Sequence, residues 1–498
     1  MLNVKKTGNC TFIERLVNKL TAICSLQSRR LRNQMELPVM DELSVKFIVV
    51  LTVSVIIYGS LLSLNDFGSL LDDIRSHKFG LVYLYTVRIF LGLNLSVFLW
   101  RALLVLAYKP FESCSDKQLP HCTVIVPAYN EGKGVLTTLK SVVESIYPAD
   151  KIQIIAIDDG SDDDTFEWIK TACRLMPGRI ESIRFEKNRG KREALFEGVI
   201  RSRGRIIVTI DSDSVIEPQT LRRLISPFAA DKSIGAVAGN VRVLNYDEGL
   251  IPKMLDVIFA YSFDFLRASQ SMVNTVFCTP GALSAYRKEV VMKNLNAWLN
   301  QTFLGTKANI GEDRALTNMI LNDGWNVKFQ SNAVVYTMVP TTYGKLCKMF
   351  LRWARSNVRE TLAMAAFIFK KFRRGSMSGA RVNFIMSCIN IVVPQAIASL
   401  IIGFIFLRPQ IYLSQLMLGV VIASTAPAVF YALRKKNSDS LWAYAYGLFW
   451  FAGLWWITPW AIATCRNGNW LTRQLPTERP VTPGRRILSA PAELETAA

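Results

Sequence analysis

Residues 122–211 read CTVIVPAYNEGKGVLTTLKSVVESIYPADKIQIIAIDDGSDDDTFEWIKTACRLMPGRIESIRFEKNRGKREALFEGVIRSRGRIIVTID. CTVIVP, IQIIAID, IESIRFE and RIIVTID are short β-rich runs, and VLTTLKSVVESI, DTFEWIKTACRL and KREALFEGVIRS between them have helical spacing. That βαβαβα rhythm predicts an α/β domain with a parallel sheet covered on both faces, in which ligands collect outside the C-terminal strand ends. The acids sit at those ends. The second strand runs into Asp158-Asp159-Gly160-Ser161, then Asp162, Asp163 and Asp164, and a later strand runs into Asp211-Ser212-Asp213. Mutually repelling carboxylates on one rim make chemical sense around a divalent cation, Mg²⁺ or Mn²⁺, that keeps coordination positions for a diphosphate. DDGS alone also fits a turn capping the next helix, and D-x-D alone is a short pattern. No G-x-G-x-x-G follows the first strand and no P-loop is present, so a metal must hold the phosphates. Asn188-Arg189-Gly190-Lys191-Arg192 opens a helix whose cations and N–H groups suit the same anion, although a solvated helix start explains it too.

Outside this stretch the chain turns apolar. Of 498 residues 50% are hydrophobic and 20% charged, with a mean hydropathy of +0.23, which points to membrane spans. Phe47–Leu64 and Phe79–Tyr108 have bilayer length. The first begins too late for a cleaved signal peptide and is expected to remain as an anchor. Lys5, Lys6, Arg15, Lys19, Arg29, Arg30, Arg32 and Lys46 precede it, which places the N-terminus inside. The expected organisation is a basic cytosolic segment (1–46), two spans (47–108), a cytosolic domain (109–380), C-terminal spans (381–465) and a cytosolic tail (466–498). Val382–Leu407 and Ile411–Leu433 read as crossings. Leu441–Cys465, interrupted by Gly447, Gly453 and Pro459, reads as re-entrant, because the Arg-rich tail favours the cytosol. Lys253–Met272 has a narrow polar stripe (Lys253, Asp256, Asp264, Arg267), and Leu362–Phe369 is followed by Lys370, Lys371, Arg373 and Arg374. Both suit the headgroup layer, and the first also fits a buried helix.

The net charge of +20 is compatible with nucleic acid, an anionic membrane or a phosphorylated substrate. Its basic residues cluster beside the spans, which argues against nucleic acid. Nine scattered cysteines and two histidines, with no C-x-x-C, suit reduced thiols in the cytosol and no structural zinc.

VIVPAYNE (124–131), DDGS (158–161), NRGKR (188–192), DSD (211–213), CTPGALSAYR (278–287), GEDRALTN (311–318) and RWARSNVRE (352–360), in this order, resemble the processive, inverting, membrane-embedded glycosyltransferases, nearest to the hyaluronan and chitin-oligosaccharide synthases. The resemblance covers roughly Cys122–Glu360 plus the flanking spans. It implies a nucleotide-diphospho-sugar transferase domain of the A type, with a mixed, mostly parallel sheet, inserted between N- and C-terminal transmembrane helices. By matching position, Tyr129, Glu131 and Asp159 contact the uridine with Asp158 as companion. Asp213 binds the metal, Asp211 supports the donor, Lys191 neutralises the diphosphate, and Asp313 is the general base. Asp313 read alone also fits a capping or salt-bridged acid beside Arg314.

Cys278, Arg314, Arg352 and Trp353 fall on the acceptor and diphosphate side. Met349 stands where the family's Q-x-x-R-W element has Gln, so that amide's contact is missing or supplied elsewhere. Trp470, Thr472 and Arg473 resemble a gating segment, with Leu471 in place of a small residue. One base suffices for inversion, since the acceptor hydroxyl attacks opposite the leaving nucleotide.

Asn390, Gln395 and Ser399 near mid-membrane suit either a polymer path or helix packing. The expected function is a synthase at the plasma (inner) membrane that uses UDP-sugars, extends a β-linked polysaccharide and extrudes it. Hyaluronan from UDP-GlcNAc and UDP-GlcA is placed ahead of a chitin-type or other β-polysaccharide. A lipid-carrier transferase and a catalytically silent transporter or scaffold are the other readings, and the intact acids argue against the last. The sequence does not fix the oligomeric state.

Overall fold

The computed structural model describes residues 41–62, 67–406 and 409–468. The chain divides after Ser54. The helix Glu42–Leu62 that carries the division is apolar, and near its start Lys46 pairs with Glu42 at 2.7 Å.

From Cys122 the predicted rhythm is present. The strands are β1 (Cys122–Ala128), β2 (Ile152–Asp158), β3 (Ile180–Arg184), β4 (Ile206–Thr209), β5 (Ser214–Ile216), β6 (Ile234–Val243), β7 (Ser284–Arg287), a two-residue hairpin β8 (Thr302–Phe303) and β9 (Thr306–Lys307), and β10 (Asn326–Thr337). Helices Gly134–Val143, Thr165–Leu175 and Lys191–Arg201 cross between the first four strands. The eight-stranded sheet runs β3-β2-β1-β4-β7-β6-β10-β5. β3, β2, β1 and β4 are parallel, β7 is antiparallel to β4 and β6, and β5 is antiparallel to β10. β1 is buried along its whole length, whereas β3, at the edge, is half exposed. Register pairs Ala128 with Asp158, so the loops after β1 and β2 leave the sheet side by side. This is the mixed, mostly parallel sheet expected from the resemblance.

Apolar helices flank the domain. Glu42–Leu62, Gly80–Ala107, Ser378–Ile397 and Tyr412–Lys435 are long and apolar enough to cross a bilayer. The tract after Leu441 is not one rod: a helix Trp442–Phe449, a π-helical turn Trp450–Leu454 and a helix Ile457–Ala463 follow one another. Part of its aromatic content packs inward. Trp442 is fully buried, the Trp450 ring meets Phe350 edge-on at 5.7 Å, and the Tyr343 hydroxyl donates to the Gly453 carbonyl at 2.6 Å.

The segment with the narrow polar stripe is a buried helix. Its middle turns, Tyr261–Arg267, are π-helical. Asp256 accepts from the Tyr431 hydroxyl at 2.8 Å, and Asp264 accepts from Asn240 at 2.8 Å and pairs with Arg242. The stripe therefore faces protein partners, the second of its two sequence readings. In the basic run, Arg373 is buried and donates to the carbonyls of Val273, Asn274 and Ser376, which leaves Lys370, Lys371 and Arg374 exposed.

Candidate active site

At the ends of β1 and β2 two loops interlock. Asn130 is left-handed at φ 54°. Its amide donates to Ser161 Oγ at 3.0 Å and its side-chain oxygen accepts from the Asp162 amide at 3.0 Å, while the Glu131 and Gly132 amides both donate to Thr165 Oγ1 at 2.9 Å. Tyr129 reaches Asp162 only at 3.5 Å. Asp158, fully buried, accepts from the Ser161 amide at 3.1 Å and pairs with Arg184 at 3.3 Å. Asp159 accepts from the Arg189 amide at 2.8 Å and from the Gly190 amide at 3.0 Å. The second acid of DDGS thus pins the loop that delivers Lys191. Gly160 is required for this closeness: its φ is +69°, and a Cβ there would lie 2.3 Å from the Lys187 backbone.

Lys191 joins this rim to the next acids. Its Nζ lies 2.6 Å from Asp211 Oδ1 and 2.8 Å from Glu312 Oε1. Burial would lower its pKa, but the two carboxylates outweigh burial and push it well above the ordinary range. Glu312 responds inversely: burial alone would raise it, and Lys191 holds it at about 2. A small cavity of about 30 Å³ beneath the sheet end is lined by Lys191, Asp211, Gly281, Glu312 and Asp313. Gly281 keeps this space open, since a Cβ there would stand 2.8 Å from Lys191 Nζ and 3.3 Å from Asp211 Oδ2.

Asp313 begins the helix Glu312–Asn322. Its Oδ1 accepts from the Arg314 amide at 2.7 Å, and Oδ2 lies 3.6 Å from the Cys278 sulfur. Burial first, then the Glu312 charge, raise its pKa above the usual carboxylate range. Burial and the neighbouring Asp313 raise the Cys278 thiol, so at neutral pH it is the S–H donor of the pair. The Arg314 guanidinium turns away from Asp313, to Asn357 and to Thr361 Oγ1 at 3.0 Å. The capping reading of Asp313 is met only by its contact to the next amide. Asp213 accepts from Ser214 Oγ and Thr337 Oγ1, both at 3.1 Å, and burial followed by Asp211 raises it.

Arg352 and Trp353 lie on the long helix Tyr343–Ala365. Arg352 is close enough to help hold Glu312 ionised. Trp353 is 42% exposed, its ring 6.2 Å from Phe259 and 5.8 Å from Phe350. Trp470, Thr472 and Arg473 lie outside the described residues.

Residues 120–356 match the family described as Glycosyltransferase like family 2. The domain resembles that family over these residues. It is 34% identical over 263 residues to a hyaluronan synthase of Streptococcus pyogenes, covering 51% of this chain and 61% of that one. It is 31% identical over 249 residues to an N-acetylglucosaminyltransferase of Mesorhizobium japonicum, covering 50% and 58%. The chain thus spans about three fifths of the length of these curated relatives. A mannosyltransferase from Pyrobaculum calidifontis, solved with GDP-Man and Mn²⁺, superposes with a TM-score of 0.55 at 21% identity, over 74% of this chain and 98% of its own. That likeness shows the fold.

The acids at the strand ends suit a hard cation. Among the described residues no group of three His, Cys, Asp or Glu gathers to hold a metal alone. Asp211 and Asp213 are two, a set that Mg²⁺ or Mn²⁺ completes with substrate phosphates. The sequence reading missed Glu312, the middle residue of GED. Its signal was its place one residue before Asp313 at a helix start, where an acid gains from the helix dipole.

Proposed function

We propose that this protein is a processive, inverting polysaccharide synthase of the plasma membrane, taking UDP-sugars on a cytosolic domain and extruding a β-linked polymer, with hyaluronan from UDP-GlcNAc and UDP-GlcA as the product. The carrying observation is the convergence of Lys191, Asp211, Glu312 and Asp313 on one cavity at the strand ends. A donor diphosphate at this rim meets Asp211 and Asp213 through a divalent cation, which supplies charge stabilisation to the leaving group. Lys191 adds a protein cation and is held in place by Asp211 and Glu312. Asp313, raised in pKa, takes the proton of the acceptor hydroxyl, and Cys278 and Arg314 fix its setting.

Extrusion is supported by a second cavity of about 280 Å³, close to the lower bound for ligand sites of about 300 Å³. Its lining includes Arg101, Gln270, Phe277, Asn357, Asn383 and Asn390. Phe277 precedes Cys278, and Asn357 holds Arg314, so this cavity adjoins the base and leads to the helices Gly80–Ala107 and Ser378–Ile405. An acceptor chain seated at Asp313 has its path here. The competing reading, a polymer of GlcNAc alone, is supported by the N-acetylglucosaminyltransferase relatives.

Asp313→Asn tests the assigned base. UDP release in the presence of acceptor is expected to fall by about 10²–10⁴-fold, with UDP binding kept. An active Asp313→Asn protein overturns the assignment.

A further inference from the structure

Arg101 lies in an apolar helix six residues before its end at Ala107, about 9 Å along the axis from where the chain leaves for the catalytic domain. An arginine inside a span is costly, and where one occurs it usually serves a pathway or pairs with a counter-charge. Here the partner is neutral. Nε and Nη2 of Arg101 both donate to Asn383 Oδ1, at 3.2 and 2.7 Å. Asn383 is 1% exposed and fixed by its own donation to the Gly379 carbonyl at 2.9 Å. Among the described residues no carboxylate pairs with Arg101, and it is the only charged residue lining the 280 Å³ cavity. The other polar groups there, Gln270, Asn357, Ser387, Asn390 and Thr458, are amides and hydroxyls of the kind that meet sugar hydroxyls.

We propose that Arg101, oriented by Asn383, is a subsite for the uronate carboxylate of the growing chain, so that the mouth of the membrane path selects an acidic polymer over a neutral one. This deepens the proposed function and rests on it. A guanidinium presents its donors as a planar fork that matches a carboxylate, and a charge-assisted bond in a poorly hydrated cavity is stronger than one between neutral groups. A chain of GlcNAc alone leaves the cation unanswered. A lipid phosphate would satisfy the same fork. The polymer is favoured because the amide-lined wall continues, through Phe277 and Asn357, to the two residues flanking Asp313 on the acceptor side, Cys278 and Arg314.

The test uses full-length protein in nanodiscs of phosphatidylcholine and, separately, of phosphatidylglycerol, with UDP and Mn²⁺ present. Binding of a labelled GlcNAc–GlcA tetrasaccharide is compared with that of its carboxyl-reduced counterpart. The protein is expected to bind the acidic chain at least tenfold tighter in both lipids. Arg101→Gln is expected to remove that preference while leaving affinity for the reduced chain within twofold. Asn383→Asp, which provides an internal carboxylate to the guanidinium in a side chain of the same size but gives up the bond to the Gly379 carbonyl, is expected to do the same. Equal binding of both chains by the unaltered protein overturns the subsite and leaves the polymer-synthase reading standing. Equal weakening of both by Arg101→Gln also overturns it, making Arg101 a packing residue. A preference that vanishes only in phosphatidylglycerol assigns Arg101 to lipid and overturns it as well. No binding of either chain by protein that still binds UDP overturns the acceptor path itself.

Discussion

Replacing Lys191 by Met removes the one cation between two acids. Lys191 is 9% exposed and Glu312 6%, and the separations are 2.6 and 2.8 Å. At an effective dielectric of about 20 each attraction is about 6 kcal/mol, most of it offset by dehydration of the charges. Deleting one partner of such a buried group costs about 3–5 kcal/mol, since the remaining charges keep their burial and lose their compensation. For a domain of this size that is a drop of about 10 °C in Tm. The pH dependence follows from Glu312. Its carboxyl, held at about 2, adds stability that is fully present above the unfolded value of about 4.3 and is lost only as pH falls through about 2. Without Lys191, burial raises Glu312 instead, so the variant loses stability as pH rises through the carboxylate range. The gap between the two proteins is therefore widest near neutrality and narrows below about pH 4. Thermal unfolding in detergent at pH 7 and pH 4 reads both effects, and Glu312→Gln added to Lys191→Met is expected to restore part of the loss. Lys191→Arg is not expected to substitute, because a planar guanidinium does not take the place of an ammonium held 2.6 Å from Asp211 and 2.8 Å from Glu312. A Tm change under 2 °C, or no rescue by Glu312→Gln, refutes the reasoning.

Three further outcomes follow from the geometry. As the proposed base Asp313 acts only when ionised, and burial and Glu312 raise its pKa. The acid limb of the rate profile should therefore fall above the usual carboxylate range, and Glu312→Gln should move that limb to lower pH, as a pH series of UDP release would show. Gly311→Ala should destabilise the domain, because φ is +70° and a Cβ would stand 1.7 Å from Ser356 Oγ. Adding Ser356→Gly removes the clash, and about 2 kcal/mol should remain in a denaturation curve, from the left-handed alanine and from a glycine inside the helix Tyr343–Ala365. Asp213→Asn should raise the Mn²⁺ concentration needed for half-maximal UDP release at least tenfold, which a metal titration measures.

The first half of the sheet was legible because β1, β2 and β4 are largely buried and read as apolar runs, while the three crossover helices keep their helical spacing. β5, β6, β7 and β10 were not read: SVI and SAYR are three and four residues long, too short for a periodicity to show, and β6 and β10, though longer, carry glycine or polar residues that break the apolar run. The acids at the strand ends were legible for the same reason as the strands, since an acid directly after an apolar run must sit at the rim. The division of labour among them was not. Nothing local says that Asp159 is occupied by the Arg189 and Gly190 amides, or that Lys191 meets Glu312, 121 positions away, because these partners meet only when the loops fold onto one another. The stripe of Asp256 and Asp264 shows the same limit. A helical wheel reports that polar groups share a face, and the face turned out to meet Tyr431, Arg242 and Asn240.

The central claim is a polymer synthase that requires two donors. It is tested by giving membranes that contain the full-length protein, with Mg²⁺ or Mn²⁺, UDP-GlcNAc, UDP-GlcA or both. High-molecular-weight product only from the pair, cut by hyaluronidase, is the predicted result. Polymer from UDP-GlcNAc alone, or no polymer from the pair, would contradict it.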